Sequence, residues 1–348
     1  MLTAPAPRVL FGSGLRHTVA DEVAQLGCQH ALVLSTPQQC DSAMAIAETL
    51  GDKAAGIFAR ATMHTPVSVT EEAVAHLREV NADCIIAIGG GSTTGLGKAI
   101  AYRTDVPQIV IPTTYAGSEA TPILGQTENG VKTTLTDAKV RPEVILYDPD
   151  LVTSLPTAMT VTSALNAIAH AAEALYAENR TAHSDTLATE GMQHFADGLP
   201  AVLQHPADTE AREKTLRGAY ACGAVLGQVG MALHHKLCHT LGGSLNLPHA
   251  DTHAIILPHA IHYNAQAVPD LLAPITDIFG GTAPGPSLHA FATKMNAPLA
   301  LQDLGVTKAQ LDHAADLATQ KPYPNPAPVT RDGIRTLLHA AWEGAPPA

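Results

Sequence analysis

Short apolar runs alternate with amphipathic segments through the first half of the chain. Apolar runs predict strands over residues 8–11, 30–35, 56–58, 84–88, 108–112 and 144–147. Helical periodicity predicts helices over residues 19–26, 42–50 and 67–80. Strands that alternate with helices are typical of a parallel sheet that is covered on both faces.

The pattern changes after Asp148-Pro149-Asp150. From residue 158 to about 318 the chain has long helical segments rich in Ala and Leu, and a last helix is predicted over 330–342. No strand pattern is found there. We therefore predict an α/β, Rossmann-like dinucleotide-binding domain over residues 1–155 and an all-α domain over residues 156–348.

Composition excludes several classes of protein. The net charge of −12 argues against a nucleic-acid partner, and no apolar run is long enough to span a membrane. The five cysteines are odd in number and lack CxxC spacing, which favours reduced thiols in the cytoplasm. Cys238 lies among histidines, so it must be considered as a ligand or nucleophile.

A glycine-rich loop follows the apolar run at 84–88. The segment Gly89-Gly90-Gly91-Ser92 leads into a helix, and glycines with a helix N-terminus suit a pyrophosphate. The motif alone also fits a tight βα turn. The next strand ends in hydroxyls at Thr113, Thr114 and Ser118, which would line the same crevice. No carboxylate stands at 35–38, so both NADH and NADPH are expected as cofactors.

Histidines are concentrated in one stretch. Seven of the 18 lie between residues 234 and 262: His234, His235, His239, His249, His253, His259 and His262. His235 and His239 are four residues apart and share a helix face, and we expect Gly242-Gly243 to end that helix. This density predicts an active site.

A polar pair lies on an Ala-rich helix earlier in the second half. Asn166 and His170 are four residues apart, so they share a face. Such a pair alone is usually solvated. Together with His235 and His249, however, the pair could surround one ion or one substrate.

The motifs together resemble the iron-containing alcohol dehydrogenase superfamily, which has a dehydroquinate synthase-like fold. They are GGGS, TTYAGSEAT, NAIAHAAEA, HHKLCHTLGG and PHADTHAIILPH. The resemblance implies that Gly89, Gly90, Gly91 and Ser92 hold the pyrophosphate, that Thr113, Thr114 and Ser118 flank the adenosine, and that Lys132 approaches the ribose. It also implies a homodimer. Gly95 stands where the family usually has Asp, which puts one nicotinamide contact in doubt.

The resemblance also implies a metal site, from which this chain departs. In the superfamily an Asp and three His hold a divalent metal, and the matching positions are Asn166, His170, His235 and His249. A neutral amide is a poor ligand for Fe or Zn. The departure is similar to one branch, the maleylacetate reductases. We therefore expect a dicarboxylate substrate and no requirement for a metal.

This branch reduces an enone with NADH or NADPH late in bacterial degradation of aromatic compounds. Negative charge would build on a ketone oxygen, and its stabilisation is usually the largest catalytic contribution. We assign that role chiefly to His239 and His235, with His170 and His249 lining the same pocket. Two further residues, Lys236 and His253, are candidates for a substrate carboxylate, although Lys236 points about a quarter turn away from His235. One histidine would serve as general acid.

Three other functions remain open on sequence grounds. The first is a metal-dependent alcohol or glycerol dehydrogenase in which Asn166 binds metal through its amide oxygen. The second is a dehydroquinate-synthase-like lyase, which should have more basic residues for a phosphate. The third is a non-enzymatic metal-storage or interaction protein, against which the two predicted cofactor loops argue.

Overall fold

A computed structural model describes residues 6–348, which form two compact units. The first unit extends to Leu155 and includes residues 207–216, and the second comprises Pro156–Pro206 and Arg217–Ala348. The break after Leu155 falls at the predicted boundary. Residues 207–216 differ from the predicted division, because they pack with the first unit.

Buried polar contacts explain this difference. The guanidinium of Arg212 is almost completely buried, and its Nη1 donates to the hydroxyl of Tyr115 at 3.0 Å. The hydroxyl of Thr215 lies 2.9 Å from the same oxygen. A buried guanidinium is costly unless it is hydrogen-bonded, so these contacts hold the segment to the first unit.

The first unit is built on a six-stranded parallel sheet of order β1-β8-β5-β4-β2-β3, with a separate antiparallel hairpin β6-β7. The strands are β1 Arg8–Phe11, β2 Ala31–Leu34, β3 Ala54–Phe58, β4 Cys84–Gly89, β5 Gln108–Pro112, β6 Ile123–Glu128, β7 Val131–Thr136 and β8 Val144–Tyr147. The helices are α1 Val19–Gln25, α2 Cys40–Leu50, α3 Val67–Glu79 and α4 Gly91–Thr104. Every residue of β4 and β5 is buried, as expected of central strands.

The hairpin β6-β7 was not predicted from the hydrophobic pattern. Four of the twelve residues in its two strands are Thr, and most of the twelve are at least partly exposed. The turn between them is Asn129-Gly130, and both residues have positive φ, at 50° and 76°. Asn-Gly is the strongest short-range signal for a two-residue hairpin, so the turn rather than the strands could have revealed it.

The second unit is helical throughout, apart from its connections. Its helices are α5 Thr157–Ala174, α6 Ala182–Gln204, the later part of α7 Thr209–Leu226, α8 Leu233–Leu245, α9 His249–Ala265, α10 Pro269–Phe279, α11 Pro284–Lys294, α12 Lys308–Thr319 and α13 Arg331–Glu343. The predicted fold class is confirmed. Over residues 6–348, no helix combines the length and apolar character needed to cross a bilayer.

Helix α8 continues through Gly242-Gly243, so the prediction that these glycines end the helix is wrong. The helix ends at Leu245, where Asn246 adopts the left-handed conformation with φ 53° and ψ 40°. Pro248 follows, and a proline cannot continue a helix. Glycine weakens a helix by only about 1 kcal/mol, which packing of the apolar face of α8 can offset.

Candidate active site

The glycine loop of the first unit joins β4 to α4 in a tight turn. Gly89 has φ 152°, and a Cβ on it would lie 2.5 Å from Oγ1 of Thr93. A Cβ on Gly90 would lie 3.0 Å from Cγ2 of Thr114. Glycine is therefore required at position 89, and a side chain at position 90 would have to displace Thr114, whereas Gly91 is exposed and has no close neighbour. The exposed N-terminus of α4 is suited to a pyrophosphate.

The predicted second loop lies beside the first. The backbone N–H of Thr113 donates to the carbonyl of Gly89 at 3.0 Å, and Nε2 of Gln39 donates to the Thr113 hydroxyl at 2.9 Å. Ser92, Thr114 and Ser118 are partly buried nearby in sequence, and Lys132 is exposed on β7. The structure thus brings Gly89, Gly90 and Thr113–Thr114 together, whereas the side chain of Lys132 lies beside Gly125 within the hairpin β6-β7.

A buried lysine on α4 was missed in the sequence. The ammonium of Lys98 is fully buried and donates to carbonyls of Ser118, Thr121 and Ile123 at 2.5–2.9 Å. Burial lowers its pKa to about 7, although the charge of Glu119 acts in the opposite direction. These bonds fasten the segment after β5 to the glycine-loop helix. A lysine between small and apolar residues in an otherwise buried helix was the available signal.

One face of α5 in the second unit carries three buried polar side chains. They are Asn166, His170 and Glu173, spaced by four and three residues and at most 6% exposed. Oδ1 of Asn166 and Nδ1 of His170 are buried without a hydrogen-bond partner in the structure. Buried polar atoms are nearly always satisfied, so these atoms indicate a site for a polar ligand.

The histidine rings assemble around His235, much as the sequence predicted. Its ring centroid lies 5.1 Å from that of His170, 5.2 Å from His253 and 6.1 Å from His239. The ring of His249 lies 4.3 Å from that of His253. Nε2 of His235 and Nε2 of His253 are buried without a partner. All five histidines assigned to the site are therefore brought together.

Two of the site's histidines differ from the others in exposure. His239 and His249 are exposed in the chain as described, whereas His170, His235 and His253 are buried. Exposed rings can meet a substrate without displacing protein atoms. The pair is consequently placed to contact a ligand that enters from solvent.

Electrostatics keep the deepest imidazoles neutral. Burial, reinforced by the neighbouring imidazoles, lowers the pKa of His170 and of His253 well below the ordinary value. Burial also lowers the pKa of His234 to about 3. These three rings therefore act as hydrogen-bonding groups rather than as cations near neutral pH.

Lys236 lies apart from the histidine rings. Its ammonium stands 5.7 Å from the centre of the Tyr323 ring, on another side of α8 from His235. The Tyr323 hydroxyl is buried without a partner.

The Cys238 thiol is not set up as a nucleophile. Burial raises the pKa of this thiol well above its ordinary value, which argues against a nucleophilic thiolate.

Glu173 was the functional residue that sequence reasoning missed. The carboxylate is fully buried, and burial would raise its pKa, but the hydrogen bond and charge of His235 outweigh burial and lower it to about 2. Nδ1 of His235 lies 2.6 Å from Oε2 of Glu173. Its place one turn after His170 was the only signal in the sequence.

The residues do not fit the metal site that the family implies. Zn–N bonds of about 2.0–2.1 Å require ring nitrogens within roughly 4 Å of each other. Between residues 6 and 348, three candidate ligand atoms come within 4.8 Å of one another in two groups, His234-Cys238-His253 and Cys28-Asp83-Cys84. His170, His235 and His249 form no such group, and position 166 offers an amide.

The first of those groups is a hydrogen-bonded chain. Nε2 of His234 lies 3.0 Å from Nδ1 of His253, and Sγ of Cys238 lies 3.6 Å from the same His234 nitrogen. None of its three residues stands at a position that matches the ligands of the family. These contacts place the His253 ring instead of preparing a cavity for an ion.

Both units match a family of oxidoreductases. The first unit has the glycine loop on a parallel sheet, and the second has the buried histidine site. The family described as iron-containing alcohol dehydrogenase matches residues 6–149, and the C-terminal part of the Fe-containing alcohol dehydrogenase family matches residues 160–342. The chain belongs to the iron-containing alcohol dehydrogenase family. The predicted resemblance, and with it a nicotinamide-dependent oxidoreductase, is confirmed.

Individual relatives narrow the resemblance to one branch. The chain is 58% identical to a maleylacetate reductase of Rhizobium sp. (strain MTP-10005), over 99% of this chain and 98% of the relative. A maleylacetate reductase of Sphingobium indicum is 51% identical over 99% and 97%. The crystal structure of the maleylacetate reductase from Agrobacterium tumefaciens superposes with a TM-score of 0.97 at 55% identity, covering 100% and 99%.

Proposed function

We propose that this chain reduces the carbon–carbon double bond of maleylacetate with NADH or NADPH to give 3-oxoadipate, without a metal. The full-length likeness to maleylacetate reductases supports the reaction. The observation that carries the proposal is the set of side chains at the site. Five imidazoles gather in one unit, and the position of the family's metal-binding Asp holds the neutral Asn166.

The reaction balances as a hydride and a proton transfer. Bound NADH or NADPH would supply the hydride for the alkene carbon next to the substrate carboxylate, and the electron pair of the double bond would move to the ketone oxygen as an enolate. A protein N–H then delivers a proton to the alkene carbon next to the ketone, and the ketone re-forms. The products are the saturated keto diacid and the oxidised nicotinamide.

The chain's own residues supply the binding and the proton. The exposed ring of His239 is the donor that we assign to the developing enolate, and Nε2 of His235, which lacks a partner, is an acceptor in the same cluster. The exposed His249 belongs to the same cluster, and position 166 offers a neutral amide where the family has a carboxylate. The side chain of Asn166 therefore adds no negative charge that would repel a dicarboxylate.

The decisive experiment is an assay after removal of metal. The purified protein is treated with EDTA, its Fe and Zn are quantified, and oxidation of NADH and of NADPH is followed with maleylacetate. We expect full turnover in the metal-depleted protein. Turnover that returns only when Fe or Zn is added would overturn the metal-free proposal.

A second arm distinguishes the main alternative. The family name favours an alcohol dehydrogenase, so the same protein is tested with a diol or glycerol and oxidised coenzyme, with and without added metal. Alcohol oxidation without maleylacetate reduction would replace the proposed reaction. A solved 1,3-propanediol oxidoreductase shares the fold at 22% identity and a TM-score of 0.91, covering 98% of this chain and 100% of that one, a likeness that extends to the fold alone.

A further inference from the structure

A single buried carboxylate joins α5 to the first turn of α8. Glu173 is fully buried, and its two oxygens accept from the backbone N–H of Ala232 at 3.0 Å and of His234 at 2.7 Å. The N–H of His235 is more distant at 3.4 Å, and the hydroxyl of Tyr176 donates at 3.1 Å. Every lone pair of the carboxylate thus has a donor nearby.

This arrangement caps α8 from another helix. The residue before the helix is Ala232, which has no side chain able to accept a hydrogen bond, and no local side chain caps the helix. The first N–H groups of a helix need acceptors, and its N-terminus favours negative charge. Glu173 satisfies both requirements. The position of α8 along α5 is therefore fixed by one carboxylate.

The same carboxylate orients the catalytic ring. Oε2 of Glu173 lies 2.6 Å from Nδ1 of His235, and an ionised carboxylate accepts only, so Nδ1 must carry the hydrogen. The other ring nitrogen, Nε2, is buried and has no partner. The ring stacks on His170 with centroids 5.1 Å apart. Its reactive nitrogen is therefore presented to the cluster and not to the protein behind it.

We propose that Glu173 is the positioning residue of the site, which holds His235 in one tautomer with Nε2 free for the substrate. The role in turnover rests on the reduction proposed above. The hydrogen bonds of Glu173 run to Nδ1 of His235, to the Tyr176 hydroxyl and to backbone N–H groups at the start of α8, so within the cluster it acts through His235. Outer partners that orient a functional histidine have this geometry in other enzymes.

The test begins with Glu173→Gln, which keeps the shape of the side chain but replaces one acceptor oxygen by a donor. Loss of such an orienting group costs about 10- to 100-fold in activity. We expect kcat for maleylacetate to fall by that factor, with the KM for NADH unchanged, because the glycine loop is untouched. Glu178→Gln is the matched control, since Glu178 is an exposed carboxylate just beyond the end of α5.

A double-mutant cycle separates positioning from general structural damage. If Glu173 acts through His235, then Glu173→Gln combined with His235→Asn loses no more kcat than His235→Asn alone. Losses that multiply would overturn the inference, as would a Glu173→Gln protein with wild-type kcat. Should Glu173→Gln fail to fold, Glu173→Asp withdraws the carboxylate by one methylene and is expected to show the same loss of kcat.

A spectroscopic readout keeps the inference distinct from the proposed reaction. Nitrogen-15 NMR of histidine-labelled protein, with His235→Asn for assignment, reports which ring nitrogen carries the hydrogen. Wild type should show hydrogen on Nδ1, and Glu173→Gln should lose that preference. Absence of maleylacetate turnover in wild type would refute the reaction alone, whereas a His235 tautomer unchanged by the substitution would refute the role of Glu173.

Discussion

Replacing Asn166 by aspartate tests the charge argument directly. The substitution keeps the size of the side chain but adds a negative charge where only 6% of the residue is exposed and Oδ1 has no partner. One turn further on is His170, whose pKa is held well below its ordinary value by burial and by the surrounding imidazoles. The new carboxylate would therefore lie beside a neutral ring, out of water.

The expected change in the free energy of unfolding follows from two opposing contributions. Leaving a buried charge without its partner costs about 3–5 kcal/mol. Protonation of His170 could offset this cost, because an ion pair about 4 Å apart gains about 4 kcal/mol at an effective dielectric constant near 20. Protonation of His170 costs about 1.4 kcal/mol more for each unit by which the pH rises above the pKa of its ring. We expect the free energy of unfolding to fall by about 3 kcal/mol at mildly alkaline pH.

The sign of the pH dependence is fixed by the direction of the carboxyl shift. Burial would raise the pKa of the new carboxyl above its unfolded value of about 4, so the folded state would bind the extra proton. The destabilisation is then absent below about pH 4 and grows as the pH rises. Zn²⁺ should stabilise Asn166→Asp more than wild type, since carboxylate is the better ligand.

The assay is urea unfolding of wild type and Asn166→Asp over a series of pH values, with EDTA or with Zn²⁺. Asn129→Asp is the control, because Asn129 is exposed in the turn between β6 and β7. Asn166→Asp should also raise the KM for maleylacetate, since the added charge repels a dicarboxylate. An Asn166→Asp protein as stable as wild type in EDTA at every pH would refute the reasoning.

Four further outcomes follow from the same geometry. His239→Ala should lower turnover by about 100-fold without changing the thermal midpoint, because the ring is exposed, and unchanged turnover would remove it from the site. Gly89→Ala should destabilise the protein by roughly 1–3 kcal/mol in urea unfolding, since its Cβ would lie 2.5 Å from Thr93 Oγ1 at φ 152°. Gly91→Ala, whose Cβ has no neighbour closer than 3.9 Å, should leave stability intact but raise the KM for NADH, and equal stability of the two variants would contradict this. His234 has a pKa lowered from 6.5 to about 3, so the unfolding free energy should decrease as the pH falls through that interval, by up to roughly 5 kcal/mol, and His234→Asn should flatten the urea-unfolding profile.

The fold could be predicted where burial dictates the residue types. The run at 84–88 is apolar throughout and became β4 in the centre of the sheet, because a strand covered on both faces admits few polar side chains. The hairpin β6-β7 escaped prediction since its strands are mostly exposed to some degree. Strands are recognised in a sequence by apolar residues, either in a continuous run or in alternation with polar ones. Both patterns arise from burial, so a half-exposed strand shows neither clearly.

Helix ends and long-range contacts could not be predicted from the local sequence pattern. Gly242-Gly243 favours a helix end by propensity alone, yet α8 continues to Leu245. The histidine cluster itself was predictable from spacing and density along one stretch. Glu173 was not, because it lies 62 residues before His235 in sequence and no local pattern announces such a contact. Only the packing of α5 against the start of α8 creates its role.

Positions 166 and 173 of α5 together explain how the fold of a metal-binding family serves an anionic substrate. A carboxylate at position 166 would lie one turn before His170 and favour a cation, whereas Glu173 is hydrogen-bonded to the Nδ1 side of His235. Removing the first charge costs little, because an amide fits the same space. Removing the second would leave the N-terminus of α8 uncapped and His235 without a fixed tautomer. The chain has Asn at the first position and Glu at the second, which is the combination that we expect for an anionic substrate.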